Sequence, residues 1–310
     1  MEIVKVEALT KQFDQLTAVS QLSFSVLPGD VYGFLGQNGA GKSTTIRMLL
    51  TLITPTSGDI HLFGLSLTKH RKDILRQIGA VIEKPDVYKY LSAYDNLKLF
   101  AKLSGIQPTH SLLMSQLEIV GLANRAKDTV KTFSQGMKQR LGIAIALVHN
   151  PQLIMLDEPT NGLDPQGIAD IRNLILSLSK QHQKTVIVSS HLLSEIEQIA
   201  TRMLIIDKGR KLVEGSAAEL FDQSKTVIEL DTNNNDIAFQ KINESSWKEK
   251  LQPIRNGQIV LQLNKQEIPS FNQALVSMGI DVFSLQPRHS LEDYFLQITA
   301  GKQHVNAFTN

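Results

Sequence analysis

Short apolar runs alternate along the chain with longer segments in which apolar residues recur every three or four positions. The runs at 31–35, 153–156 and 185–189 predict buried strands, because a strand that is covered on both faces is apolar throughout. The segments at 167–179 and 192–199 have the helical spacing. This alternation predicts an α/β fold, in which helices pack on the faces of a parallel sheet.

A helical block interrupts the alternating pattern. Apolar residues follow the helical spacing at 93–104, 111–120 and 135–148. We therefore expect a helical subdomain at about 86–150, inserted into a sheet domain that spans 1–222.

The composition changes after about residue 222. Strand-like runs at 226–230 and 258–263 flank a polar segment, 231–236, which predicts a loop. Helices are expected at 269–278 and 291–298. The sequence therefore predicts a small C-terminal α+β accessory domain at 223–310.

The segment that follows the first buried strand fits the phosphate-binding loop G-x-x-x-x-G-K-[ST]. Its residues, together with the next one, are Gly36, Gln37, Asn38, Gly39, Ala40, Gly41, Lys42, Ser43 and Thr44. Glycines let backbone N–H groups close around an anion, and the N-terminus of the following helix adds positive charge. Lys42 can then reach the β- and γ-phosphates, and the Ser43 hydroxyl can ligate Mg²⁺. The alternative is a glycine-rich turn that carries a lysine, but the strand–loop–helix context favours binding of ATP or GTP.

Polar residues follow two other predicted strands. The strand at 153–156 ends in Asp157 and Glu158. Phosphoryl transfer needs one acidic group for Mg²⁺ and another that orients or deprotonates the attacking water, which are the roles expected of Asp157 and Glu158. His191 comes after the strand at 185–189, at the sheet edge where α/β folds bind ligands, so it can contact the γ-phosphate. A solvated Asp–Glu pair and a surface or core histidine are the alternatives.

Composition narrows the class of protein. The chain is 42% hydrophobic and 20% charged with a net charge of +2, so it has no basic excess of the kind that binds nucleic acid. It has no cysteine, which excludes disulfides and thiolate metal sites. Apolar stretches such as 141–148 are shorter than the roughly 20 residues of a membrane helix. We expect no nucleic-acid partner and no direct membrane insertion.

The ordered motifs from Phe13 to about residue 215 resemble the ATP-binding subunit of an ABC transporter. Residues 133–140 read FSQGMKQR and are similar to the family signature LSGGQ, which is followed by polar residues and an arginine. Ser134 and Gly136 match that signature. Three positions depart from it: Phe133, Gln135 and Met137.

The resemblance implies a P-loop NTPase fold of the ABC cassette type, which binds ATP and Mg²⁺. It implies that Phe13 lies under the adenine ring, although a core phenylalanine is the alternative. It also implies that Ser134 and Gly136 meet the γ-phosphate held by a second copy of the chain, and that Asp164 lies in the D-loop at the interface of that homodimer.

Glu83 departs from the family pattern. The family normally has glutamine here, which touches Mg²⁺ and the attacking water, whereas Glu83 adds negative charge beside the metal. Glutamate in this loop resembles the bacitracin-resistance and lantibiotic-immunity exporters. A surface substitution without functional effect is the alternative.

The implied function is that of an ATP-hydrolysing motor, which drives a separate membrane permease that exports peptide antibiotics or drug-like compounds. Tyr88, Tyr90 and Leu91 are expected permease contacts, although the tyrosines can equally be packing residues. The expected location is cytoplasmic, on the inner face of the cell membrane through the permease. The alternatives are a soluble ABC ATPase that acts on ribosomes or DNA, and a regulatory nucleotide-binding module.

Overall fold

A computed structural model describes residues 2–220, 226–255 and 257–289 of the chain. The chain divides into two compact units, Met1–Ala217 and Ala218–Asn310. Among the described residues, none of the helices has both the length and the apolarity of a membrane span.

The first unit contains two sheets. Its strands are β1 (Val4–Phe13), β2 (Leu16–Val26), β3 (Val31–Leu35), β4 (Ser57–Leu62), β5 (Leu65–Ser66), β6 (Ile78–Val81), β7 (Leu153–Asp157), β8 (Thr185–Ser190), β9 (Arg202–Asp207) and β10 (Arg210–Ser216). Its helices are α1 (Lys42–Leu49), α2 (Arg71–Leu75), α3 (Ala93–Leu103), α4 (His110–Ile119), α5 (Gln135–Leu147), α6 (Pro165–Lys180) and α7 (Leu193–Glu197). A further helix, α8 (Ala217–Leu220), begins at the last residue of this unit.

The central sheet has the strand order β10-β9-β3-β8-β7-β6. Every neighbouring pair from β9 to β6 is parallel, and only β10 runs antiparallel to its neighbour. β3, β7 and β8 are buried along their whole length, which explains their continuous apolar sequences. The predicted α/β fold with a parallel sheet is therefore confirmed. Parallel pairing also brings the carboxyl ends of β3, β8, β7 and β6 to one edge.

An antiparallel sheet with the order β2-β1-β4-β5 shares a core with α1 and the central sheet. Phe24 of β2 packs its ring edge-on against Phe34 of β3, with 5.4 Å between the ring centroids. Met48 and Ile46 of α1 are fully buried in the same core. This packing fixes α1, and with it the start of the helix at Lys42.

Helices α3, α4 and α5 lie in sequence between the adjacent strands β6 and β7. Each begins with a hydroxyl residue whose oxygen accepts a hydrogen bond from a backbone N–H of the first turn. These N-cap residues are Ser92, Thr109 and Ser134.

The second unit has the element order β11 (Thr226–Thr232), α9 (Asn235–Asn243), β12 (Leu251–Arg255), β13 (Gln258–Leu263), α10 (Ile268–Ser277) and β14 (Val282–His289). Its antiparallel sheet has the strand order β12-β13-β11-β14, so the unit is a split β-α-β fold of the ferredoxin-like type. Phe271 and Leu275 of α10 pack with Ile228 and Leu261 in its core.

Three sequence expectations need correction or lie outside the described residues. The loop expected at 231–236 is wrong at both ends, because β11 continues through Thr232 and α9 begins at Asn235. Asn234 caps α9 by accepting a hydrogen bond from Ile237 N, so the polar run starts a helix. The helix expected at 192–199 spans only Leu193–Glu197. The helix expected at 291–298 lies outside the described residues.

Candidate nucleotide-binding site

Four loops meet at the carboxyl edge of the central sheet. The glycine-rich loop 36–41 follows β3, His191 follows β8, Glu158 follows β7, and Glu83 lies two residues beyond β6. Since these strands are neighbours in the order β3-β8-β7-β6, the sheet places the four groups side by side. This is the edge at which open α/β sheets bind ligands.

The loop after β3 requires glycine at both ends. Gly41 has a φ of 104°, and a Cβ on it would lie 2.7 Å from the backbone oxygen of Ala18. A Cβ on Gly36 would lie 2.5 Å from the backbone oxygen of Ile206. Both distances are shorter than carbon and oxygen atoms tolerate. The backbone of β2 and β9 therefore holds this loop in place directly before α1.

Lys42 is the first residue of α1 and is only 5% exposed. Its ammonium group donates hydrogen bonds to the backbone oxygens of Gly36 at 2.6 Å and Gln37 at 3.2 Å. It also lies 3.1 Å from Glu158 Oε1. A buried cation at the centre of a glycine-rich loop is suited to phosphate, because it supplies positive charge where loop N–H groups and a helix N-terminus converge.

The two carboxylates after β7 have different surroundings. Asp157 is 1% exposed, and its Oδ1 accepts a hydrogen bond from Ser189 Oγ at 2.5 Å. The Ser189 hydroxyl also accepts one from Glu158 N at 2.9 Å. Glu158 Oε2 lies 2.8 Å from His191 Nδ1. Ser189 thus fixes the backbone between the carboxylates, and Glu158 lies between the cation of Lys42 and the imidazole of His191.

A cavity of about 500 Å³ opens beside these groups. Its lining residues are Ser43, Ile82, Glu83, Lys84, Gln135, Gln139, Asp157, Glu158 and Asn161. Asp157 Oδ2 is buried and has no hydrogen-bond partner within the part of the chain that the structure describes. The Ser43 hydroxyl and Asp157 Oδ2 are suitable ligands for Mg²⁺, because this ion prefers oxygen ligands and retains several waters.

The Glu83 carboxylate pairs with the guanidinium of Arg47, which lies one helical turn beyond Ser43 on α1. Over the described ranges, no group of three or more Asp, Glu, His or Cys side chains lies close enough to hold one metal ion. Glu83 also lines the cavity, and its backbone has a φ of 57°, which is unusual for a residue other than glycine.

The remaining predicted residues lie at other places. Phe13 ends β1 and is 41% exposed, so the alternative of a core phenylalanine is wrong. The ammonium of Lys11 lies 4.8 Å from the centroid of its ring. Ser134 caps α5 and Asp164 caps α6, where Asp164 Oδ1 accepts a hydrogen bond from Gly167 N at 3.2 Å. Ser134, Gly136 and Asp164 are not among the residues that line the cavity.

Comparison with known proteins identifies the family. The family model described as ABC transporter matches residues 19–161. The chain is 43% identical to the bacitracin transport ATP-binding protein BcrA of Bacillus licheniformis, over 96% of this chain and 98% of that protein. It is also 43% identical to the lantibiotic transport ATP-binding protein SrtF of Streptococcus pyogenes, over 77% of this chain and 99% of that protein. A solved structure of an ATP-binding subunit of an ABC transporter is 28% identical, with a TM-score of 0.62 over 71% of this chain and 92% of that one.

This chain belongs to the ABC transporter family. It is an ABC ATPase, and the resemblance seen in its motifs is confirmed, as is the cassette fold. The roles expected of individual residues stay predictions.

Two features of the cassette site were not evident from its motifs. Ser189 joins Asp157 to the backbone of Glu158, and Arg47 pairs with Glu83 across 36 residues of sequence. The only sequence signal for Arg47 is its position four residues after Ser43, which places both side chains on one face of α1. The sequence gives no signal for the role of Ser189, because a serine in a buried strand is equally compatible with simple packing.

Proposed function

We propose that the chain is the motor of an exporter for peptide antibiotics or related amphipathic compounds, in which two copies hydrolyse ATP to move a separate membrane permease. The observation that carries this proposal is the position of Glu158, which lies 3.1 Å from Lys42 Nζ and 2.8 Å from His191 Nδ1 at the end of a buried strand. A carboxylate between a phosphate-binding cation and an imidazole is suited to ATP hydrolysis.

Glu158 is the proposed general base. Its Oε1 lies 3.1 Å from Lys42 Nζ, so binding of the phosphates by Lys42 would leave this oxygen to accept a proton from the attacking water. His191 holds the other carboxylate oxygen and contacts the γ-phosphate. Lys42 binds the β- and γ-phosphates as a point charge once ATP replaces the loop carbonyls as its partner.

Mg²⁺, held by Ser43 and Asp157, would supply positive charge against the phosphate oxygens on which negative charge develops. Phe13 is proposed to stack on the adenine ring with the face that Lys11 leaves free. The negative charge of Glu83 is partly offset by Arg47, so we propose that Glu83 modulates the metal site from its edge.

We propose that ATP brings two copies of the chain together. One copy supplies the loop with Lys42, and the other supplies Ser134 and Gly136 at the N-terminus of α5. That helix has 13 residues and a hydroxyl N-cap, so its first turn offers N–H groups and a positive dipole end to the γ-phosphate. Asp164, at the start of α6, is proposed to lie at the dimer interface. Hydrolysis removes these contacts and releases the dimer.

The cargo and the permease are inferred from the relatives. The bacitracin and lantibiotic transport proteins are ATP-binding proteins of antibiotic transport, which supports the same cargo class here. Tyr88 is 55% exposed and Tyr90 is 85% exposed, and together with Leu91 they are the proposed permease contacts. The cassette would then act on the cytoplasmic face of the membrane, and residues 223–310 would form its accessory domain.

The hydrolysis assignment is tested with Glu158→Gln and Lys42→Ala in the full chain. Glu158→Gln is expected to lower kcat by about 10²–10⁴-fold, the usual contribution of a general base, and to retain ATP binding by calorimetry. Lys42→Ala is expected to lose ATP affinity. Hydrolysis by Glu158→Gln at the parent rate, or unchanged ATP binding by Lys42→Ala, contradicts the assigned roles.

The transport assignment is tested in cells. The chain should co-purify with a polytopic membrane protein, and loss of the chain should lower resistance to cell-wall-active peptides. The variant Glu158→Gln should fail to restore that resistance. Co-purification with ribosomes or DNA, with resistance unchanged, would instead support a non-transport ABC ATPase.

A further inference from the structure

The carboxylate of Glu195 joins the segments that follow β7 and β8. Its Oε2 accepts a hydrogen bond from Ser190 Oγ at 2.7 Å and another from Thr160 Oγ1 at 2.8 Å. Ser190 is the last residue of β8 and precedes His191, whereas Thr160 lies two residues after Glu158. One oxygen atom thus binds the side chains of two residues that lie close in sequence to two of the proposed active-site groups, His191 and Glu158.

The position of Glu195 is itself fixed. It belongs to α7, and the buried side chains of Leu193 and Ile196 anchor this short helix. The Ser190 hydroxyl also accepts a hydrogen bond from Leu192 N at 3.0 Å, so its single proton is directed to Glu195. Hydrogen bonds to a charged carboxylate are stronger than those between neutral groups, particularly where they are partly buried.

The hydrogen bonds of Glu195 connect two segments of the site that have different proposed roles. The segment from Thr160 to Asp164 leads to the proposed dimer interface, and His191 contacts Glu158 at 2.8 Å. A second link, through Ser189, ties Asp157 to Glu158 N but does not reach Thr160. Among the hydrogen bonds of the described residues, the contact through Glu195 is therefore the one that joins the interface segment to the histidine segment.

We propose that Glu195 is a positioning residue, which holds His191 and the segment 160–164 in one arrangement so that assembly of the dimer and alignment of Glu158 occur together. This inference rests on the proposed function. Glu195 does not contact Glu158, so its effect passes through Ser190 and Thr160. Loss of the carboxylate should impair turnover and leave the affinity for ATP unchanged, because the phosphate loop is formed by other residues.

The test compares Glu195→Ala, Glu195→Gln, Thr160→Val and the double variant Thr160→Val/Glu195→Ala in the full chain, with Glu118→Ala on the exposed face of α4 as the control. Each variant is assayed for kcat and KM at a temperature well below its own thermal unfolding transition. The same substitutions in a Glu158→Gln background report ATP-dependent dimerisation by light scattering. The conservative variant Glu195→Gln keeps an oxygen that can accept the two hydroxyl protons.

Glu195→Ala is expected to lower kcat about 10- to 100-fold with KM for ATP within about twofold of the parent, since a small misplacement of catalytic groups has effects of this size. It should also weaken dimerisation. Glu195→Gln should recover most of the turnover. The double variant should be no worse than Glu195→Ala, because Glu195→Ala alone already breaks the contact with Thr160.

Parent-like kcat in folded Glu195→Ala overturns the proposal, and so do additive effects in the double variant. A loss of turnover that Glu195→Gln fails to recover also contradicts it. If the parent and Glu118→Ala neither hydrolyse ATP nor dimerise in the Glu158→Gln background, the proposed function itself is wrong. That result is distinct from failure of the Glu195 variants alone.

Discussion

Gly41 shows how one missing side chain shapes the phosphate loop. Its φ of 104° and the 2.7 Å between an added Cβ and the Ala18 backbone oxygen exclude any larger residue without movement of the loop. Gly39 also has a positive φ, 82°, but an added Cβ there would meet no atom within 4 Å. The two positions therefore separate the effect of backbone strain from that of a steric clash.

We predict that Gly41→Ala lowers the affinity for ATP by more than about tenfold, whereas Gly39→Ala loses only the roughly 1–2 kcal/mol of stability expected for a left-handed alanine. Calorimetric titration measures the first effect and urea unfolding the second. Equal ATP affinities of the two variants would mean that contact with Ala18 does not shape the loop.

The pairing of Arg47 with Glu83 predicts a charge-dependent response to Mg²⁺. Exposed ion pairs contribute about 0–1 kcal/mol, so stability should change little when either partner is replaced. Arg47→Met should shift the Mg²⁺ concentration required for half-maximal hydrolysis, because it leaves the charge of Glu83 beside the metal site uncompensated. In a Glu83→Gln background, the same substitution should have much less effect.

A Mg²⁺ titration of ATP hydrolysis by all four combinations of residues at 47 and 83 measures this coupling, and metal-free ATP binding by calorimetry serves as the control. Identical effects of Arg47→Met with and without Glu83 would show that the two residues act independently.

The candidate site residues could be predicted from the sequence where they belong to a local motif. The phosphate loop has fixed spacing, and the carboxylates follow an apolar strand, so Lys42, Asp157 and Glu158 required no knowledge of tertiary structure. The partners of these groups were not readable. Thr160 meets Glu195 across 35 residues of sequence, and such contacts depend on which strands are neighbours in the sheet.

The secondary structure, too, was predictable only where the sequence signal is local. β3, β7 and β8 were evident because they are buried on both faces, and α6 because its apolar stripe is regular. The sequence pattern does not predict β10, which is an outer strand of its sheet and begins with two charged residues, so it lacks the continuous apolar run of a strand buried on both faces. It also does not predict α9, because the asparagine-rich segment before it resembles a loop until Asn234 is recognised as an N-cap.

The contact of His149 with β6 predicts that the stability of the protein depends on pH. His149 follows α5, and its Nε2 lies 3.0 Å from the backbone oxygen of Ile78, the first residue of β6. Burial lowers the pKa of His149 below its ordinary value of 6.5, and the hydrogen bond to Ile78 opposes this effect only in part. The unfolded chain therefore binds this proton at a higher pH than the folded chain does.

The contribution of His149 to the free energy of unfolding should be complete above about pH 6.5 and should decrease as the pH falls below that value. Urea unfolding at several pH values measures this dependence. His149→Gln should reduce it, and His182→Gln, at an exposed position, should not. An unchanged pH dependence in His149→Gln would show that other groups determine it.

The chain as a whole carries one phosphate loop and one segment similar to the ABC signature. Ser134 and Gly136, at the N-terminus of α5, do not line the cavity beside Glu158 of their own chain, although Gln135 and Gln139 of that helix do. A second copy can complete both sites at once by two-fold symmetry, since each copy offers the loop that the other lacks. In the proposed dimer, a single set of motifs in each chain is therefore enough to form two composite sites.

The proposed assembly of two copies by ATP is tested most directly by the mass of the Glu158→Gln variant in solution. Multi-angle light scattering should give the 34.5 kDa monomer without nucleotide and about twice that mass with saturating ATP and Mg²⁺. Replacing Ser134 by arginine in the same variant should abolish the dimer and leave ATP binding intact. A monomer at every ATP concentration, or a dimer that Ser134→Arg does not disturb, would contradict a site shared between two copies.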